Sequence, residues 1–128
     1  MLELAAVNAM IPTKDLQRAR EFYENTLGLT GVEDHGGGAL RFNCADGTWF
    51  LLYSTRVEIA PATTLASWRV ADMESEVAEL TSLGVKFEEY DFGPGFKTEG
   101  GIMKLAFGKS AWFKDTDGNI LGLFQSGT

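Results

Sequence analysis

Residues 11–28 read IPTKDLQRAREFYENTLG, and the fold is decided by how this stretch is read. Asp15 opens a helical stretch in which Leu16, Ala19, Phe22, Tyr23 and Leu27 recur at helical spacing on one face, and Gly28 supplies the stop. Working outward, residues 4–11 are uncharged and largely apolar, which predicts a buried strand closed by Pro12. Downstream come the turn-rich residues His35-Gly36-Gly37-Gly38, a predicted strand over 39–43, the turn Asp46-Gly47, and a strand over 49–53. Asp-Gly between two apolar runs is a strong hairpin signal.

The same order then returns. Residues 65–70 predict a strand, and Asp72 opens a second helix with Met73, Val77, Leu80 and Leu83 as its buried face. Glu74 and Glu76 suit the positive N-terminal end of that helix, and Gly84 stops it. Strands are expected over 85–90 and 103–107, and a final hairpin over 110–113 and 120–125 turns at Asp117-Gly118. Each half is read as a βαβββ module, although the runs that stand out number two after the first helix and four after the second.

Gly28 and Gly84 are 56 residues apart, whereas Asp46 and Asp117 are 71 apart, so the second half carries about 15 extra residues. They fall at residues 92–101, FGPGFKTEGG, a composition that suits a mobile loop. Such a loop is either a functional lid or a surface excursion. The expected organisation is one domain over 1–128, with module 1 at about 1–55, a connector containing Pro61 at about 56–63, and module 2 at about 64–128. Neither half would bury its sheet alone, which makes one α+β domain of two modules the economical reading.

Bulk properties narrow the function. With 128 residues, 45% hydrophobic and 23% charged, the chain has ordinary globular composition and room for a core. A net charge of −7 argues against nucleic acid and against an anionic membrane surface, while leaving room for a local cationic pocket. The opening MLELAAVNAM lacks the charged and apolar regions of a signal peptide, and no apolar run approaches a membrane span. Cys44 is the sole cysteine and reads as a half-buried strand thiol, so a cytoplasmic location is expected.

Two stretches carry a family resemblance. Residues 11–23 followed by Leu27-Gly28-Leu29 resemble the opening of the glyoxalase/bleomycin-resistance/dioxygenase (vicinal oxygen chelate) superfamily. Phe113-Lys114-Asp115-Thr116-Asp117-Gly118-Asn119 resembles its closing strand-turn-strand signature, with Thr116 where proline is usual. The resemblance implies two modules whose curled mixed sheets surround a shared cleft. In the family's enzymes that cleft holds a divalent metal bound by His, Glu or Gln. Carried over, the ligand positions lie seven residues before each helix-opening Asp and four beyond each turn glycine, which gives Asn8, Leu51, Leu65 and Gly122. Leu51 and Leu65 have no donor atom, Gly122 has no side chain, and Asn8 has a neutral amide. Metal sites need several converging imidazole, carboxylate or thiolate groups. The only histidine, His35, sits far from these positions in the pattern. The expectation is a protein with no metal and no cofactor, without metal-dependent glyoxalase or dioxygenase chemistry.

Alternation along strands names the other residues on the cleft face. These are Asn8 and Met10, then Trp49, Leu51 and Tyr53, then Leu65, Ser67 and Arg69, then Ile120, Gly122 and Phe124. The resemblance puts Trp112 inside, and the repeat maps Trp112 onto Arg41, with Ala39 and Ser110 on the same face. The candidate ligand-binding set is Asn8, Met10, Arg41, Trp49, Tyr53, Ser67, Trp112 and Phe124. Such a wall suits a small, partly aromatic molecule; the bland alternative is that the aromatics fill a packed core. Arg41 either clamps an acidic ligand group or pairs with a surface acid.

Other signals are weak. Residues 35–38 resemble the oxyanion string of esterases, but no Gly-x-Ser-x-Gly nucleophile turn exists, and Gly93-x-Gly95 is not followed by the Gly-Lys-Ser/Thr of a phosphate loop. Glu88, Glu89 and Asp91 form an acidic run that reads as a solvated edge or a source of a general base. Three functions compete: a metal-free binding module, an enzyme using a lid carboxylate such as Glu89 or Glu99, and a dimeric scaffold with a vestigial cleft. A homodimer is expected, because small two-module relatives commonly pair and sheet edges need covering.

Overall fold

The structure, a computed structural model, describes all residues except His35, Pro61 and Thr128. The sole histidine and the proline of the expected connector therefore lie outside the described residues. Contacts divide the chain into two compact units, Met1–Ile59 and Ala60–Thr128, each built on its own mixed α+β sheet.

In the first unit a short 3-10 turn at Leu2–Leu4 precedes β1 (Ala9–Thr13). Helix α1 (Leu16–Glu21) follows and runs on into a wider π-helical turn, Phe22–Thr26. Then come β2 (Val32–Asp34), β3 (Ala39–Asn43), a turn at Ala45–Gly47 and β4 (Trp49–Ser54). The sheet order is β1-β4-β3-β2, with β1 parallel to β4 and the rest antiparallel.

Asp15 caps α1 by accepting the backbone N–H of Arg18 at 3.1 Å. Tyr23 is fully buried against the sheet, its ring 5.7 Å from Phe42 and 5.6 Å from Phe50. Phe42 and Phe50 pair directly across β3 and β4 and stack with centroids 5.1 Å apart. With Ile11, Leu40 and Leu52 they make the core of this unit.

The expected strand over 4–11 is displaced. Pairing starts only at Ala9, Leu4 and Val7 are exposed, and Pro12 lies inside β1 opposite Tyr53. Proline is tolerated there because β1 is an edge strand, where a missing N–H breaks no ladder. The strand β2 went unpredicted; at three residues it is too short to show a period.

The second unit begins with β5 (Thr64–Arg69) and α2 (Met73–Ser82). It continues with β6 (Thr98–Glu99), β7 (Ile102–Leu105), β8 (Gly108–Lys114) and β9 (Ile120–Ser126), in the sheet order β5-β9-β8-β7-β6. Again the first strand, β5, runs parallel to the last, β9. Met73, Leu80, Val85, Ala111, Phe113, Leu121 and Leu123 are buried as its core. Leu83 was expected in that core but is 52% exposed, because the helix ends before it and Val85 turns in instead.

Residues 85–90 do not form the expected strand. They touch β8 through one bridge, Phe87 to Phe113, and the bond from Glu88 N–H to the Trp112 carbonyl at 2.8 Å. β7 already covers β8 from Gly108 to Ala111, so only the far end of β8 is left for residues 87 and 88.

The extra residues form structure of their own. Asp91 bridges to Lys97, Thr98 N–H donates to the Tyr90 carbonyl at 2.8 Å, and Phe92 N–H donates to the Phe96 carbonyl at 2.9 Å. Thr98–Glu99 then pairs with β7 across Gly100 and Gly101. Gly101 has a φ of 82°, and a Cβ there would lie 2.8 Å from that of Phe87, so the turn demands glycine on two counts. What read as an open loop is a hairpin fastened at its base.

Candidate functional site

Each sheet has one face packed against its helix and one face turned away. In the first unit the outward face carries Met10, Arg41, Trp49, Leu51 and Tyr53. The register explains it: Met10 and Arg41 both pair with Leu51, Trp49 with Asn43, and Tyr53 with Ala39. Arg41 spans this face diagonally, its guanidinium carbon 4.3 Å from the centroid of the Trp49 ring. Its Nε donates to Asn43 Oδ1 at 2.9 Å and lies 3.6 Å from Glu33 Oε2. Of the two roles open to Arg41, pairing with a surface acid is the one for which a partner is in place. Asn8 joins the group by donating its amide to the Trp49 carbonyl at 2.9 Å. Met10 is 51% exposed and Tyr53 half-buried.

In the second unit Trp112 and Ser67 both pair with Gly122, while Ser110 and Arg69 both pair with Phe124. Trp112, Ser67 and Phe124 therefore share the face away from α2. Phe124 packs on Phe107, centroids 6.1 Å apart, and over Gly108, where an added Cβ would meet its ring at 2.9 Å. The Trp112 ring lies 5.4 Å from Tyr90 at an interplanar angle of 58°, and Tyr90 stacks on Phe92 at 5.4 Å and 26°. Around these three rings, with Thr63, Thr64 and Ile120, is a cavity of about 330 Å³.

Tyr90 and Phe92 were missed by sequence reasoning. Both alternate with the acidic residues Glu89 and Asp91, so the Tyr-x-Phe spacing was a usable sign of a common face. The Tyr90 phenol is held above its ordinary pKa, first by burial and then by the charge of Glu88, with Lys114 opposing. It stays protonated at neutral pH and keeps its hydrogen-bond donor.

The two lid carboxylates considered for acid-base work, Glu89 and Glu99, do not line this cavity. Glu89 accepts the N–H of Gly101 at 2.8 Å, bracing the hairpin. Glu99 lines a different cavity, of about 450 Å³, with Glu74, Lys97 and Lys104; Glu74 there is paired with Lys109 at 2.6 Å.

The metal that this kind of fold implies can be tested against the residues present. On the first sheet Asn8 spends its amide nitrogen on a backbone carbonyl and Leu51 offers no donor. On the second, the register of β5 shifts between Thr64 and Ala66, leaving Leu65 at the irregularity and 42% exposed. The position of Gly122 is already crowded: a Cβ there would lie 3.3 Å from Ser67 Oγ and 3.4 Å from Thr64 Cγ2. Among the described residues no three His, Cys, Asp or Glu side chains gather as a metal-binding group. The donor set does not fit a divalent ion. No helix among the described residues is long and apolar enough to cross a membrane.

The comparisons with known proteins agree with this architecture. The model of the Glyoxalase/Bleomycin resistance protein/Dioxygenase superfamily matches residues 5–123. No curated protein is similar enough to match. Among solved structures the chain is similar to UcmS2, with 20% identity over 94% of this chain and 98% of that one and a TM-score of 0.70. It is similar to TnmS3, an antibiotic binding protein from Streptomyces sp. CB03234, with 22% identity over 98% and 100% and a TM-score of 0.68. It is also similar to the fosfomycin resistance protein FosX from Listeria monocytogenes, solved with Mn(II) and sulfate, with 16% identity over 97% and 91% and a TM-score of 0.68. At such identities the likeness is one of fold. With a family match across nearly its whole length, the chain belongs to the Glyoxalase/Bleomycin resistance protein/Dioxygenase superfamily.

Proposed function

We propose that this protein binds a small, partly aromatic organic molecule without the help of a metal, and that it does so as a cytoplasmic homodimer. The observation that carries the reading is the cavity of about 330 Å³ walled by Trp112, Tyr90 and Phe92. Its volume falls near the lower end of the roughly 300–1,000 Å³ of small-molecule sites, and rings at its wall offer stacking area at little entropic cost. The poverty of donors at Asn8, Leu51, Leu65 and Gly122 supports independence from metal. So does the position of Glu89 and Glu99 away from the Trp112 cavity, which leaves the binding role ahead of the catalytic one. TnmS3, similar in fold, is an antibiotic binding protein. The dimer rests on the family resemblance and on β1 and β5, which end their sheets as edge strands.

A thermal-shift screen against aromatic acids and antibiotics, with and without EDTA, tests the reading. A true ligand at a hundred times its Kd adds about 2.7 kcal/mol to the folded state, a shift that EDTA leaves intact and Trp112→Ala abolishes. A panel in which no compound raises the Tm, or in which Trp112→Ala behaves as the wild type, removes the proposal. Light scattering at tens of micromolar that returns the mass of a single chain removes the dimer.

A further inference from the structure

The rings around the cavity come from two sources. Trp112 belongs to β8 and is held by its pairing with Gly122, as the repeat requires. Phe92 opens the segment by which the second half exceeds the first, and Tyr90 stands just before it, at the base of the hairpin. That segment is fastened so that both rings are presented together: Tyr90 N–H donates to Thr98 Oγ1 at 2.8 Å, Thr98 N–H returns to the Tyr90 carbonyl at 2.8 Å, and Gly93 N–H donates to Asp91 Oδ1 at 3.0 Å. Phe92 leans one face on Tyr90 while staying 70% exposed, as a ring at the rim of an opening does.

The cavity's described lining contains no Asp, Glu, Lys or Arg. The charges that act on Tyr90, those of Glu88 and Lys114, face one another at 3.4 Å and offset each other. A charged ligand entering here would lose water without gaining a counter-ion, which is costly, whereas a neutral ring system loses little. The hydroxyls of Thr64 and Tyr90 can orient such a ring by a hydrogen bond.

Resting on the binding reading above, we propose that Tyr90 and Phe92 are ligand-contacting residues, so that the extra hairpin sets specificity, and that the ligand part received here is an uncharged, planar ring system. Stacking of this kind is worth about 0.5–1.5 kcal/mol per ring pair, or roughly two- to twelvefold in affinity.

Three probes of one ring plan test this: acridone, acridone-4-carboxylate and N-methylacridinium, titrated by their own fluorescence into the full-length protein. Acridone is expected to bind at least tenfold more tightly than either ion. Tyr90→Leu and Phe92→Leu are each expected to weaken it about fivefold, and Tyr90→Phe less than twofold, with unchanged far-ultraviolet circular dichroism. Equal or tighter binding of a charged probe overturns the ligand class. Wild-type affinity in both leucine variants, with Trp112→Leu alone losing acridone, overturns the role of the hairpin but leaves the aromatic-binding reading in place. Failure of all three probes to bind, together with a flat thermal-shift panel, overturns both.

Discussion

Arg41 and Trp49 sit two residues out of register on neighbouring strands, and the guanidinium of the first covers the ring of the second at 4.3 Å. Diagonal neighbours on a sheet are within reach of long side chains, so the pairing is a direct consequence of the β3–β4 register. The same guanidinium is held by Asn43 and faces Glu33, so this contact is more readily understood as part of the outer sheet surface than as a free anion clamp.

Arg41→Lys is therefore expected to cost about 0.5–1 kcal/mol of stability, the range of an exposed cation–π contact. Combined with Trp49→Leu in a double-mutant cycle by urea denaturation, it should reveal a coupling of about half a kcal/mol. Glu33→Gln should cost less, because that ion pair is largely open to solvent. A coupling of zero would mean that the contact contributes nothing.

Protein dialysed against EDTA should keep its Tm and its ligand affinity, and elemental analysis should return far less than one metal ion per chain. The expectation follows from the donor-poor positions Asn8, Leu51, Leu65 and Gly122. Close to one zinc, nickel, iron or manganese per chain, lost in Asn8→Ala, would sink it.

Tyr90 should ionise above the ordinary phenol value of 10.0, since burial and Glu88 both disfavour the phenolate. Glu88→Gln should bring the titration down, because it removes one negative charge and leaves Lys114 unopposed. A folded pKa above the unfolded one favours the folded state below pH about 10, and that advantage is lost as pH rises through the folded value. An NMR titration in which Tyr90 ionises at or below its ordinary value would contradict the geometry.

Two side chains far apart in sequence cap α2. Asp72 accepts the N–H of Ser75 at 3.2 Å, and Gln125, at the end of β9, accepts that of Met73 at 2.6 Å. Asp72→Ala and Gln125→Ala are each expected to cost about 1 kcal/mol, the usual effect of losing a helix cap. Urea midpoints check both; no loss in Gln125→Ala would show that water replaces it without cost.

Local chemistry wrote much of this structure into the chain. Asp15 and Asp72 are caps, Gly28 and Gly84 end helical segments at φ of 74° and 97°, and β3 matches the run read as residues 39–43. Those features depend on a few neighbouring residues, and an offset of 71 carries from the hairpin turns to the pairs Arg41–Leu51 and Trp112–Gly122. Other features depend on what lies alongside. Residues 85–90 look like a strand, yet β7 takes most of the room beside β8. Pro12 looks like a terminator, yet it sits within β1 because that strand is an edge. The turn at Asp117-Gly118 is organised by Asp115, buried and accepting the N–H groups of Asp117 and Asn119 at 2.9 Å each. By itself, then, the sequence determined the family, the two-module repeat, the helix starts and the hairpin turns, since caps, glycines and periodicity act over a few residues. Only the tertiary structure decided that Tyr90 and Phe92 meet Trp112 and that Arg41 meets Glu33 and Trp49, because such meetings depend on strand register and on which lane beside a strand is still open.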